Sequence, residues 1–137
     1  MKNLVCFLFL ALFLAIPAIN ISGHKNTESQ NISNNVLILT DKIFDKTIKK
    51  GIVLVDFWAT WCGPCRIMSP VIEEIASEIG DNAKIAKMDT DKNKVTSYKY
   101  KVEYLPTIII FKDGVPAQRF VGTQSKETLV EAIYDLL

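Results

Sequence analysis

Two cysteines separated by two residues are the strongest chemical signal in this chain. Cys62 and Cys65 follow an apolar run, Ile52 to Phe57, that predicts a buried strand, and they open a helical stretch. A helix N-terminus presents free backbone N–H groups and the positive end of the helix dipole, which should stabilise a thiolate and lower the pKa of Cys62. The spacing predicts thiol-disulfide exchange, in which Cys62 is the nucleophile and Cys65, one turn deeper, resolves the mixed disulfide.

The same pair could instead supply half of a zinc site, but the rest of the chain disfavours this reading. Zinc needs four ligands. The chain has one histidine, His24, and one further cysteine, Cys6, and both lie in the N-terminal region that precedes the predicted domain. A cysteine-histidine hydrolase would need a histidine inside that domain to activate the thiol. We therefore expect no metal, and no cofactor beyond the redox-active disulfide of Cys62 and Cys65.

Asp56 is the second residue that the sequence singles out. It lies between Val55 and Phe57 in the apolar run, where an ionised carboxylate without a partner would be costly. Burial disfavours the charged form, so we expect the pKa of Asp56 to rise. Buried carboxyl groups of this kind often serve a function, and Asp56 is therefore a candidate site residue.

The active-site segment of the thioredoxin family resembles two stretches of this chain, Asp56-Phe57-Trp58-Ala59 and Trp61-Cys62-Gly63-Pro64-Cys65-Arg66. Further segments follow in the family's order: Ala86-Lys87-Met88-Asp89, Leu105-Pro106-Thr107, Phe111-Lys112-Asp113-Gly114 and Val121-Gly122. The resemblance covers residues 36–137. It implies a thioredoxin fold, which is an α/β fold with a central mixed β-sheet and helices on both faces, and the activity of a protein-disulfide reductase.

The resemblance also assigns roles to residues around the cysteine pair. Asp56 would move a proton to and from Cys65, with Lys87 as its charge partner. The active-site turn would comprise Trp61, Gly63 and Pro64. Of the two tryptophans, Trp61 is expected to be partly exposed and to frame the substrate groove, whereas Trp58 is expected in the core.

Substrate binding, again by resemblance, would involve a cis-proline at Pro106 together with Tyr104, Leu105 and Gly122. Many thioredoxins have glycine where this chain has Lys101 and Tyr104. The rim of the groove is therefore expected to be bulkier and more charged. We expect a narrower set of partner proteins as a result.

Alternating strand and helix patterns must position these residues. Apolar periodicity and turn residues predict strands at 36–39, 52–57, 84–88, 107–111 and 118–121. Helices are predicted at 41–50, from the cysteine pair to a stop at Gly80, at 94–100 and near the C-terminus. Asp41 is expected to cap the first helix and Pro70 to kink the second. Asp113 and Gly114 are expected to form a hairpin turn.

The N-terminal segment predicts export from the cytoplasm. A positively charged start, Met1-Lys2-Asn3, precedes an almost wholly apolar stretch from Leu4 to Ile19, which is shorter than the ~20 residues that span a membrane. We expect residues 1–23 to be a cleaved signal peptide, residues 24–35 a polar flexible linker and residues 36–137 one domain. The protein would then reside in the secretory pathway or outside the cytoplasm, as a secreted, vacuolar or periplasmic protein, without stable membrane insertion.

Composition and the Gly63-Pro64 dipeptide set expectations for partners. Sixteen basic and fifteen acidic residues give a net charge of +1, which offers no electrostatic basis for binding nucleic acid. By resemblance, Gly-Pro accompanies strongly reducing thioredoxins, so we expect a reduction potential below about −240 mV. The expected partners are disulfide-containing proteins and an upstream electron donor that the sequence does not identify.

Two other functions stay open from the sequence. A disulfide isomerase would use the same chemistry at a higher potential. An accessory structural subunit of a protein-export complex is the alternative from a different class, and its partner would be a protein-export translocon. This last reading depends on the leader, the size and a Lys-, Ile- and Asn-rich composition, in which the chain resembles the secreted thioredoxins of malaria parasites.

Overall fold

The computed structural model describes residues 35–137, which form a five-stranded sheet with helices on both faces. The strands are β1 (Val36–Ile38), β2 (Ile52–Trp58), β3 (Lys84–Asp89), β4 (Thr107–Lys112) and β5 (Val115–Val121). The helices are α1 (Phe44–Ile48), α2 (Gly63–Ile79), α3 (Lys94–Lys99) and α4 (Lys126–Tyr134), and none of them is long and apolar enough to cross a bilayer. The predicted signal peptide, and the predicted linker up to residue 34, lie outside the described residues.

The sheet is mixed, as the sequence predicted, and β2 lies at its centre. The strand order is β1-β3-β2-β4-β5, in which β2 pairs parallel with β3 and antiparallel with β4. A central strand that is covered on both faces carries mostly apolar side chains, which explains the run from Ile52 to Phe57, where Asp56 is the one polar residue. The register places Asp56 beside Lys87 of β3 on one side and beside Ile108 of β4 on the other.

Side chains of β2 alternate between two hydrophobic cores. Ile52 and Leu54 pack in a core that α2 and α4 cover, whereas Val53, Val55 and Phe57 pack in a second core that contains Phe44 and Ile48 of α1. Helix α2 is held to the first core by a stripe of buried residues at helical spacing, Met68, Ile72, Ile75, Ala76 and Ile79. Because side chains alternate along a strand, Asp56 falls on the face that α2 covers.

Asp41 does not cap α1, contrary to the expectation from sequence. The helix begins only at Phe44, and its N-cap residue, Ile43, makes no capping hydrogen bond. Instead, the Asp41 carboxylate accepts a hydrogen bond of 2.9 Å from the backbone N–H of Thr96, in the first turn of α3. Hydrogen bonding from Thr96, by its side chain foremost and by its backbone N–H as well, holds the pKa of Asp41 below its ordinary value. Asp41 therefore joins the segment before α1 to the start of a distant helix.

The turns that end α2 and β4 agree with the sequence. Pro70 lies inside α2, which continues to Ile79 and ends at Gly80, where φ is 55°. Glycine adopts this left-handed conformation without steric cost. Asp113 and Gly114 have φ values of 50° and 85°, as a tight hairpin turn of this kind requires at its two central positions. Pairing between β4 and β5 reaches this turn, so β5 begins at Val115 and is longer than predicted.

Candidate active site

Cys62 and Cys65 lie where β2 gives way to α2, and they form a disulfide. Their sulfur atoms are 2.09 Å apart, and their Cα atoms are 5.3 Å apart. Cys62 is the N-cap residue of α2, and its Sγ accepts a hydrogen bond of 3.2 Å from the backbone N–H of Cys65. The loop between β2 and α2 therefore places one sulfur at the tip of the helix and the other in its first turn.

The two sulfur atoms differ in their position relative to the helix, and this difference favours Cys62 over Cys65 as a nucleophile. Both cysteines are almost fully buried in the disulfide form, with 4% of Cys62 and 2% of Cys65 exposed, so exposure does not separate them. The N-cap position does, because a negative charge on Cys62 would face the backbone N–H groups and the positive dipole end of a 17-residue helix. In the reduced protein, this arrangement favours a thiolate on Cys62.

Asp56 is fully buried beneath this helix, and neither of its carboxylate oxygens accepts a hydrogen bond from a described residue. Loss of solvation raises the pKa of Asp56 from 3.8 to about 6, and the positive charge of Lys87 offsets part of the rise. The direction expected from the sequence is thus confirmed. A carboxyl group with this pKa can both hold and release a proton near neutral pH, as a general acid or base must.

Lys87 acts on Asp56 without touching it. The two residues are register partners on neighbouring strands, yet no ion pair joins them within the described residues. Instead, Lys87 Nζ donates a hydrogen bond of 2.5 Å to Ser69 Oγ on α2 and lies 5.4 Å from the centre of the Trp58 ring. Lys87, predicted as the charge partner of Asp56, thus attracts its carboxylate at longer range than an ion pair.

The segment before β4 brings Leu105, one of the residues predicted to bind substrate, to the cysteine pair. The Leu105–Pro106 peptide bond is cis, as predicted, and the half-buried Leu105 packs against Cys62 and Cys65. The carbonyl oxygen of Pro106 accepts a hydrogen bond of 2.8 Å from Gly122 N–H. Gly122 has a φ of 85°, a conformation that a larger residue would adopt with strain. Leu105, Pro106 and Gly122 thus form one wall beside the disulfide.

Trp61 lies in the active-site turn immediately before Cys62 and is 67% exposed. Its indole N–H donates a hydrogen bond of 2.8 Å to the Asp91 carboxylate, which anchors the ring near the disulfide. Trp58 packs against the cysteine cluster and is half-buried, so it is less enclosed than the sequence suggested. An exposed, anchored aromatic ring next to a disulfide offers a contact surface for another protein.

Tyr104 and Lys101 form the rim that the sequence identified as unusual. Tyr104 is 69% exposed and contributes to an open cavity of about 350 Å³ that is also lined by Lys101, Glu103, Thr107, Arg119 and Val121. Lys101 has a φ of 52°, a left-handed conformation that glycine adopts more easily. The bulky and charged side chains therefore face solvent beside the cis-proline segment.

Two contacts at the site were not anticipated from the sequence, those of Ser69 and Asp91. Ser69 lies four residues after Cys65, so helical spacing places both residues on the same side of α2. A polar residue on the side of the helix that carries Cys65 was the sequence signal from which a role for Ser69 could have been predicted. Asp91 follows β3 in a polar loop that gave no indication of its contact with Trp61. Among residues 35–137, no cluster of three or more histidine, cysteine, aspartate or glutamate residues could hold a metal ion. The redox-active group at this site is the disulfide itself.

Comparisons with known proteins agree with this geometry. The family model described as thioredoxin matches residues 35–135. Thioredoxins of Staphylococcus epidermidis and Staphylococcus aureus are 49% and 48% identical over 98 residues, which is 72% of this chain and 94% of each relative. The solved structure of a mutant thioredoxin from Halobacterium salinarum NRC-1 matches with a TM-score of 0.69 and 33% identity, over 74% of this chain and 90% of that chain. The chain therefore belongs to the thioredoxin family of protein-disulfide reductases.

Proposed function

We propose that this protein reduces disulfide bonds of protein substrates outside the cytoplasm, with Cys62 as nucleophile and Cys65 as resolving thiol. The Cys62 thiolate attacks one sulfur of the substrate disulfide, and the other substrate sulfur leaves as a thiolate. Cys65 then attacks Cys62 Sγ, which breaks the mixed disulfide, releases the second substrate thiolate and forms the Cys62–Cys65 disulfide. The substrate gains two electrons, and the protein loses two.

The observation that carries this proposal is the Cys62–Cys65 disulfide at the N-terminus of α2. The helix stabilises the attacking thiolate, and the helical spacing keeps the resolving sulfur within bonding distance. Few rearrangements are needed between the two steps, because both sulfur atoms sit on the same rigid helix. The wall formed by Leu105, Pro106 and Gly122 gives the substrate a place beside them.

Asp56 supplies the proton exchange that the second step needs. Cys65 must lose its proton before it can attack Cys62, and the buried Asp56 carboxylate, on the face of the sheet that α2 covers, is the base that we assign to this step. Because the pKa of Asp56 is about 6, the group is largely deprotonated at neutral pH and ready to act as a base. The resolving step should therefore slow as the pH falls through the pKa of Asp56.

The direction of electron flow is tested by measuring the reduction potential against glutathione. The Gly63-Pro64 pair favours a potential below about −240 mV, whereas a value near −180 mV would overturn the assignment as a reductase and favour an isomerase. A parallel assay follows the reduction of insulin disulfides with dithiothreitol as electron donor. Cys62→Ser and Cys65→Ser are the controls, and each should abolish turnover.

The proposed location outside the cytoplasm depends on residues 1–23, the predicted signal peptide. A signal peptide there would deliver the domain to a compartment that is usually oxidising, where a reductant works only while an upstream donor returns electrons to Cys62 and Cys65. Sequencing the N-terminus of the protein purified from its own cells tests this step. A mature chain that begins between residues 19 and 24 supports export, and a chain that begins at Met1 in the cytosolic fraction contradicts it.

The remaining alternatives gain no support from the described residues or from the relatives. An isomerase and a structural subunit of a protein-export complex were both open from the sequence. The relatives named above carry the description thioredoxin. An export translocon as partner stays a prediction from the leader and the composition.

A further inference from the structure

The ammonium group of Lys87 occupies an unexpected place in the site. Lys87 and Asp56 are side by side in the register of β2 and β3, and both fall on the face of the sheet that α2 covers. A long, flexible lysine side chain next to a buried carboxylate without hydrogen bonds would ordinarily form an ion pair. Here the ammonium is bound elsewhere, by Ser69 Oγ at 2.5 Å and against the Trp58 ring at 5.4 Å.

Of these two restraints, the bond to Ser69 is the directional one. A hydrogen bond between a charged donor and a hydroxyl fixes the position of the nitrogen, whereas attraction to an aromatic face tolerates sliding across the ring. Ser69 projects from α2 one turn after Cys65, so the hydroxyl belongs to the same helix as the resolving cysteine. The position of Lys87 is thus set by the helix that carries the reacting sulfurs.

We propose that Ser69 is a positioning residue for the proton step: its hydroxyl holds the Lys87 ammonium over Trp58 and away from the Asp56 carboxylate. This inference rests on the proposed reductase function, because the proton step that Ser69 would assist belongs to that reaction. The Asp56 carboxylate therefore stays buried without an ion-pair partner in contact with it. Lys87 remains close enough to attract the charged form but does not bind it, so Asp56 can exchange a proton near neutral pH.

The surroundings of Asp56 contain little else that could set its protonation. From β4 the neighbouring residue is Ile108, which is apolar, and the buried residues of α2 are apolar or cysteine. The half-cystines do not titrate while they are bonded to each other. Among the described residues, Lys87 is the one charged group that acts appreciably on Asp56, and burial is the larger influence. Any change in where Lys87 rests should therefore be visible in the titration of Asp56.

The test is a titration of the Asp56 carboxyl carbon by NMR in the oxidised protein, compared between wild type and Ser69→Ala. Without the hydroxyl, the ammonium is free to move onto the carboxylate, and the pKa of Asp56 should fall by about one unit or more, as for a cation brought into contact. Ser69→Thr keeps a hydroxyl on the same carbon and should keep the wild-type value. Alanine suits a helix interior, so Ser69→Ala should fold.

A second background separates positioning from a general structural effect. In Lys87→Met, the pKa of Asp56 should rise above the wild-type value, because the positive charge is gone. Adding Ser69→Ala to that background should then change nothing, since Ser69 acts through Lys87. The inference is overturned if Ser69→Ala leaves the titration of Asp56 unchanged, or if it produces the same fall without Lys87.

The titration does not depend on reductase activity. It uses the oxidised protein without substrate, so a protein that failed to reduce insulin would contradict the proposed function and still report on Ser69. Where insulin is reduced, the pH at which the rate of the Ser69→Ala variant falls by half should move in the same direction as the pKa of Asp56. A rate that fell equally at every pH would instead indicate a structural defect and would contradict the positioning role.

Discussion

Replacing Asp56 with asparagine should stabilise the protein at neutral pH and lose that advantage in acid. The wild-type carboxyl has a pKa of about 6 in the folded protein, raised from 3.8 by burial. A group whose pKa is raised on folding contributes fully to stability below its unfolded pKa, and the contribution is lost as the pH rises through the folded pKa. The contribution of Asp56 to wild-type stability should therefore fall between about pH 4 and pH 6, whereas an asparagine does not titrate.

The size of the pH-dependent change in stability follows from the ordinary and the raised pKa of Asp56. A rise from 3.8 to about 6 is roughly two pKa units. At 1.36 kcal/mol per unit, this corresponds to about 3 kcal/mol of unfolding free energy. The buried amide of the Asp56→Asn variant has its own cost of burial, but that cost is the same at every pH. The quantity to compare is thus the difference in stability between the two proteins as a function of pH.

Urea unfolding of the oxidised proteins at several values between about pH 4 and pH 8 measures this difference. We expect the advantage of Asp56→Asn to grow by about 2.5 kcal/mol across that range, because a small part of the change lies below pH 4. Asp81→Asn, which changes an exposed carboxylate in the turn after α2, is the matched control and should show no comparable trend. A difference that stayed constant with pH would refute the account of Asp56 as a buried carboxyl without a hydrogen-bond partner.

Three further changes test other parts of the structure. Lys101→Gly should raise the unfolding free energy by about 0.5–1 kcal/mol, because the left-handed backbone at φ 52° suits glycine better than lysine, and urea unfolding checks this; an unchanged or lower stability would contradict it. Asp41→Ala should cost roughly 0.5–1 kcal/mol through loss of the bond to Thr96 N–H, and Asp41→Asn should retain most of it. The depressed pKa of Asp41 means that its contribution is present above the unfolded pKa and is lost as the pH falls, so the cost of Asp41→Ala should shrink in acid. Tyr104→Gly should change the relative reduction rates of several protein disulfides, since the exposed ring borders the substrate wall, and equal rates across all of them would show that Tyr104 does not select partners.

Local patterns were sufficient to predict the elements that carry the chemistry. The largely apolar run before Cys62 marked the central strand, and Asp113-Gly114 marked the hairpin between β4 and β5. Both features depend on residues that are close in sequence, so propensity and periodicity reveal them. The rise in the pKa of Asp56 could be foreseen for the same reason, because its apolar neighbours in the strand showed that it would be buried.

Contacts between distant segments could not be predicted in the same way. Asp41 looked like a cap for the helix that follows it, but the N–H group that it binds belongs to Thr96, 55 residues away. Lys87 was predicted as the charge partner of Asp56 and does attract its carboxylate, but only the packing of α2 on the sheet shows that the Lys87 ammonium is hydrogen-bonded to Ser69. In both cases the sequence suggested one partner for a polar side chain, and tertiary packing supplied a hydrogen-bond partner from another element.

The most direct test of the central claim is to ask which cysteine attacks a substrate. Full-length Cys65→Ser, expressed in its own cell, should accumulate adducts that dithiothreitol releases, because Cys62 can attack and no resolving thiol remains. Cys62→Ser should accumulate none or far fewer, since Cys65 lies within the helix and its sulfur does not occupy the N-cap. Adducts on Cys65 in preference to Cys62, or no reductant-sensitive adducts on either variant, would contradict the account of Cys62 as the nucleophile of a working reductase.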